Sequence, residues 1–193
     1  MFQRIVFQLA CALVLCLGLA AAALAAEPPQ DQRKHTALGK YVTAAEAYDL
    51  WQKGGGKVAI VDVRTPEEYE FVGHPPMSPN IPAQLRLGGP GAGKQDMPLA
   101  DNPAFVDLMK QRFKPGDAIV IMCRSGYRSA LAARKLIAAG FTNVYNMVDG
   151  FEGDTVADKA SKDFGKRSLN GWRNSNLPWT NDLDAKLIYQ PKK

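Results

Sequence analysis

The segment Val120-Ile121-Met122-Cys123-Arg124-Ser125-Gly126-Tyr127-Arg128-Ser129 puts a thiol at the end of an apolar run and surrounds it with two arginines and a glycine. The apolar run suits a strand buried on both faces, and the residues after the loop read as a helix. Where a strand passes to a helix through such a loop, backbone N–H groups can turn inward as a nest. The helix N-terminus adds partial positive charge at the same point. An anion belongs there. The same field, with Arg124 and Arg128, favours a thiolate at Cys123. It also favours a persulfide, Cys–S–S⁻, whose outer sulfur would sit where the amides converge. Gly126 suits a tight loop that needs positive φ. The segment holds no general base, and sulfur transfer needs none, because the leaving group is already an anion.

The chain has three cysteines, and Cys11 and Cys16 fall in a stretch with the layout of a secretory signal. Arg4 gives a positive start, Ile5 to Leu24 is almost wholly apolar, and Ala20 to Ala26 is rich in small residues before Glu27-Pro28-Pro29 breaks the run. Residues 1–26 are therefore expected to be a cleaved signal peptide of a periplasmic or secreted protein, with no stable membrane anchor afterwards. An uncleaved anchor is the alternative, since about 20 apolar residues span a bilayer. After cleavage Cys123 is the single thiol in a compartment where disulfides form, so a disulfide framework is excluded. A buried structural cysteine is the bland reading of residue type alone; its neighbours argue against it.

Lys and Arg number 24 against 19 Asp and Glu, a net charge of +5, and the basic residues are dispersed apart from Arg124, Arg128 and Arg134-Lys135. No basic block interleaved with aromatics points to nucleic acid. A small anionic partner is the economical reading. With His35 and His74 as the only histidines, no spacing resembles a metal site, and neither metal nor cofactor is expected.

The elements that must position Cys123 follow from capping and periodicity. Residues 27–40 are polar and proline-bearing and read as a linker. Thr43-Ala44-Ala45-Glu46 is a capping box opening a helix that ends before Gly54, and Thr65-Pro66-Glu67-Glu68 repeats the device with proline at the first helical position. Strands are expected over 57–63, 118–122 and 142–148, and helices after Pro103 and over 129–139 with Gly140 as the C-terminal cap. Residues 73–103, rich in proline and glycine, read as a long surface excursion. Alternating strands and helices imply an α/β domain, with a mostly parallel sheet flanked by helices on both faces.

Several motifs together resemble the rhodanese family over roughly residues 40–181. These are Asp62-Val63-Arg64 with Thr65-Pro66-Glu67-Glu68-Tyr69, then Gly73-His74 with Asn80-Ile81-Pro82, the loop Cys123 to Ser129, and Leu177-Pro178 after Trp172. The resemblance implies a rhodanese-like domain over 41–181, with an insertion near 152–170 and a tail from 182 to 193. It implies transfer of sulfane sulfur from thiosulfate or a similar small anionic donor to a thiophilic acceptor through a Cys123 persulfide. Arg124, Ser125, Gly126, Tyr127 and Arg128 would then cradle and hold the donor. Asp62, Arg64 and Ser129 would support the site, and His74 would order its loop rather than move protons. Trp172 and Trp179 read as core or tail-docking aromatics. Pro75-Pro76-Met77-Ser78-Pro79 departs from the family's small Gly-Ala pattern.

Two rivals remain. A cysteine-dependent phosphatase or arsenate reductase would need five residues between cysteine and arginine, where Arg128 leaves four. A sulfur-relay module exchanging sulfur with a protein donor or acceptor would share the loop and differ in its partner.

Overall fold

In the computed structural model, which describes residues 26–87 and 98–191, four parallel strands make the central sheet. The order across it is β1 (Tyr41–Val42), β6 (Val144–Met147), β5 (Ala118–Met122) and β2 (Val58–Asp62). A separate antiparallel hairpin joins β3 (Gln84–Arg86) to β4 (Leu99–Asp101). The helices are α1 (Ala44–Lys53), α2 (Pro66–Val72), α3 (Phe105–Arg112) and α4 (Tyr127–Ala138). The expected signal, apart from Ala26, and the Gly-rich stretch 88–93 lie outside the described residues. No helix among the described residues is long and apolar enough to cross a membrane.

Strand side chains alternate between the two faces of a sheet. Ile119, Ile121 and then Cys123 accordingly share one core with Phe105 and Met109 of α3 and Ala132, Ala133 and Leu136 of α4. Val120 and Met122 face the other core, with Ala44 and Ala47 of α1, Phe151 and Trp172. Two-sided burial explains the unbroken apolar runs of β2 and β5, which pair from Val58 opposite Ala118 to Asp62 opposite Met122. The alternation also delivers Cys123 to the side of the sheet where α4 begins.

Both capping boxes form. Thr43 Oγ1 accepts from Glu46 N while Thr43 N donates to the Glu46 carboxylate, and Thr65 and Glu68 repeat the exchange. α4 begins at Tyr127, two residues before the sequence expectation, because Gly126 with φ 91° turns the chain straight from the loop into the helix.

Two segments depart from their sequence reading. Residues 74–83, expected at the surface, are largely buried against the edge of β2. Asn80 bridges Asp62 in parallel, its Nδ2 donates to Asp62 O and Arg64 O, and Ser78 Oγ donates to Ile60 O. Polar side chains that cap strand carbonyls make this stretch look like a loop in composition while it behaves as sheet. The 27–40 segment packs on the domain: Arg134 donates to the carbonyls of Arg33 and His35, and Lys34 Nζ reaches Val148 O at 2.9 Å. The tail also docks, with Leu187 O accepting from Asn80 N at 2.8 Å.

Candidate active site

Cys123 is 1% exposed and forms no disulfide. Gly126 N donates to its Sγ at 3.2 Å, the inward amide that the loop spacing implies. Gly126 cannot be replaced without displacement, since a Cβ there would lie 2.1 Å from Val148 O. The loop is held from behind by residues that follow β6. Phe151 N donates to Cys123 O at 2.8 Å, and Glu152 N and Gly153 N both donate to Arg124 O. Gly150 has φ 65°, and a Cβ on it would meet Cys123 O and Ser125 N at 2.6 Å. Glycine lets the two backbones touch.

The loop opens on a cavity of about 720 Å³. Cys123, Arg124, Ser125, Tyr127 and Arg128 line it, together with Thr65, Glu67, Glu68, Phe71 and Val72 around α2, Gln84, Arg86 and Leu99 of the hairpin, and Glu152. The structure thus brings the expected loop residues together. The Arg124 side chain is exposed, and Tyr127 is 43% exposed with the Arg33 guanidinium 5.6 Å from its ring centre. Arg128 is held differently from expectation. Its Nη1 and Nη2 donate to Glu68 Oε2 and Oε1 at 2.7 and 2.6 Å, so its charge is already met. Burial opposes ionisation of both, but the fork of hydrogen bonds outweighs it, lowering the Glu68 pKa and raising that of Arg128.

Asp62 and Arg64 form a second pair behind the loop, with neither side chain exposed. Arg64 Nε donates to both Asp62 oxygens at 3.0 Å, and Nη2 donates to Asp62 Oδ2 and Gly73 O. The Phe151 ring lies 4.3 Å from the Arg64 guanidinium carbon, so one residue connects this pair to the Cys123 carbonyl. His74 is buried, stacks on Tyr69 at 3.6 Å and shares a hydrogen bond with Tyr69 O. Burial lowers its pKa, disfavouring the charged ring, and its geometry is that of a packing residue. Ser129 is fully buried and its hydroxyl has no partner among the described residues. Trp172 is buried and donates to Pro178 O, while Trp179 packs over Gly73 and edge-on to Phe151. The insertion near 152–170 contributes only Glu152 to the cavity, and the Pro75–Pro79 stretch contributes nothing.

The profile of the rhodanese-like domain matches residues 43–155, well over half of the chain. The chain belongs to the rhodanese-like domain family. Senescence-associated protein DIN1 of Raphanus sativus is 36% identical over 91 residues, 47% of this chain and 45% of that protein, so the chain spans less than half of that relative's length. Thiosulfate sulfurtransferase 16, chloroplastic, of Arabidopsis thaliana is 36% identical over 110 residues, 57% of this chain and 82% of that protein. The crystal structure of Rv0390 from M. tuberculosis matches with a TM-score of 0.58 and 28% identity, covering 74% of this chain and 100% of that one. The rhodanese-like family is of sulfurtransferase type.

Against that background, sequence reasoning missed several residues of this rhodanese-like site. Gly150 carries the close approach to the loop, and the Asp-Gly pair before Phe151 was its only visible signal. Asp149 accepts from Ala44 N and Gly171 N, tying α1 to the chain's return, although burial raises its pKa. Glu67 and Arg86 face the cavity from two elements with no sequence signal that they meet. Among the described residues no group of three or more His, Cys, Asp or Glu could share a metal ion.

Proposed function

We propose that this protein transfers sulfane sulfur through a persulfide on Cys123. The observation that carries the reading is the Cys123 sulfur, met by the Gly126 amide at 3.2 Å at the start of α4 and at the floor of an open cavity. Thiosulfate or a similar small anion is the donor. The Cys123 thiolate attacks the outer sulfur of thiosulfate, the S–S bond breaks, and sulfite leaves with the electron pair. The charge on the new persulfide falls where the loop amides and the helix N-terminus are positive. A thiophilic acceptor then takes the outer sulfur and restores the thiolate. Asp62 and Arg64 support the loop through Phe151, whose ring lies over the Arg64 guanidinium and whose N–H holds the Cys123 carbonyl. The residue pattern of 1–26 supports export, and with it a periplasmic or secreted location in which Cys123 is the sole thiol.

The phosphatase reading finds less support, because Arg128, already one residue short of the required spacing, spends its guanidinium on Glu68. The test is intact mass after incubation with thiosulfate, with Cys123→Ser alongside, followed by cyanide. A gain of one sulfur on the wild type alone, released by cyanide as thiocyanate, supports the reading. Absence of an adduct on wild-type protein overturns the small-donor chemistry and turns attention to a protein donor.

A further inference from the structure

Asn146 of β6 is fully buried and takes no part in the cavity lining. It stands opposite Ile121 of β5, two residues before Cys123, and shares a sheet face with Val144, which packs in the core beneath α4. An apolar residue would suit that position. The amide is instead placed between two main-chain carbonyls. Its Nδ2 donates to Gly126 O at 3.2 Å and to Lys34 O at 2.9 Å. Both neighbours are acceptors, so only the NH2 end can face them. Oδ1, at the other end, is shielded from solvent and has no partner among the described residues. A buried amide with an unmet oxygen is a poor choice for stability alone. Its use lies in what the nitrogen holds.

Gly126 joins two peptide planes. In the first, its N–H donates to Cys123 Sγ at 3.2 Å. In the second, its carbonyl accepts from Asn146 and, at 3.3 Å, from Ala130 N of α4. With φ at 91° and no side chain, Gly126 has few means of its own to keep the two planes in register. Asn146 supplies one from β6, and the Lys34 carbonyl fixes the Asn146 amide from the far side. Lys34 grips the same place a second time, its Nζ donating to Val148 O, the atom that a side chain on Gly126 would strike. In a trans peptide the Tyr127 N–H opposes the held carbonyl, so the direction of that amide is set by the same clamp.

We propose that Asn146 is a positioning residue for sulfur transfer, holding the Gly126 peptide so that the amide at Cys123 keeps its aim while sulfur is loaded. The proposal rests on the sulfur-transfer reading and adds to it a residue that never touches the donor. The bonds made and broken are those of that reading, and Asn146 neither gains nor loses a proton.

The test is the single-turnover rate at which thiosulfate loads Cys123, followed by intact mass over a range of thiosulfate concentrations. Asn146→Ala removes the donor, and Val144→Ala, on the same strand and face, is the control for a weakened core. Urea melts report the stability of each. Asn146→Ala should lower the maximal loading rate about tenfold, the scale of one lost hydrogen bond, and leave the half-saturating thiosulfate concentration within about twofold. Val144→Ala should lose stability and leave both quantities unchanged. If Asn146→Ala does not fold, Asn146→Leu, which fills the space without a donor, takes its place with the same expectation. An unchanged maximal rate, a rise in the half-saturating concentration alone, or an equal slowing in Val144→Ala would overturn the positioning role. If thiosulfate does not load the wild type, the small-donor reading fails by itself, and inorganic polysulfide serves as donor so that the ratio of variant to wild-type rates still decides the role of Asn146.

Discussion

Asp62 and Arg64 lie two residues apart behind the loop with neither side chain exposed, whereas Glu68 and Arg128, sixty residues apart, meet at the cavity with 23% and 14% of their side chains open to solvent. Both are carboxylate–guanidinium pairs with a 2.6 Å contact. The buried pair also engages Gly73 O and the Phe151 ring, so removing one partner strands a charge in the interior. The pair at the cavity can relax into water if broken, and what changes then is the charge presented to a ligand. The same chemistry serves the scaffold in one place and the electrostatics of the pocket in the other.

The comparison breaks first at Arg64. Arg64→Leu should cost about 3–5 kcal/mol, because Asp62 remains buried without its partner. Urea denaturation of the variant reads the loss. A cost under about 1 kcal/mol would remove the distinction between the two pairs.

Glu68→Gln keeps an oxygen for the capping box and removes the charge facing Arg128, and it should cost about 2 kcal/mol at pH 7. The folded pKa of Glu68 lies below its ordinary value, so its stabilisation is fully present above the unfolded pKa of about 4.3 and fades as pH falls through the lower folded value. Stability curves of wild type and Glu68→Gln measured from pH 7 down should therefore converge in acid. A gap that stays constant to low pH would mean that the interaction is not ionic.

The same substitution sharpens the electrostatic half of the comparison. Removing the Glu68 charge frees the Arg128 guanidinium at the cavity, so Glu68→Gln should lower the KM for thiosulfate roughly two- to tenfold, with the gain shrinking as salt is added. Steady-state kinetics at two ionic strengths measure it. An unchanged or raised KM would show that the guanidinium does not reach the donor even when freed. The smallest effect belongs to Thr65→Ala, which removes the side-chain cap of α2 and should cost about 1 kcal/mol in a thermal or urea melt.

What could be read in the sequence was local. The apolar runs of β2 and β5, the two capping boxes and the Cys123 loop each announce themselves within ten residues. What could not be read depends on residues far apart. Nothing near Arg128 says that Glu68 will take its guanidinium, and nothing near Arg86 says that its strand will wall the cavity. The 74–83 stretch hid because its prolines, serine and asparagine are loop-forming by composition, while Ser78 and Asn80 spend their side chains on the carbonyls of β2 and its continuation. The 27–40 segment hid for a similar reason: its anchors are main-chain carbonyls gripped by Arg134, and any sequence supplies those.

The hydrogen bonds from Phe151, Glu152 and Gly153 to the carbonyls of Cys123 and Arg124 fix the orientation of two peptide planes. In a trans peptide the N–H opposes the carbonyl, so the amides of Arg124 and Ser125 are turned away from that clamp. The seven residues Cys123 to Ser129 are therefore not a portable cassette. Grafted into another strand–helix junction without a glycine and three amides arriving from the turn after a later strand, the same seven letters would be free to rotate their carbonyls toward the sulfur, and the graft would reproduce the motif without its polarity.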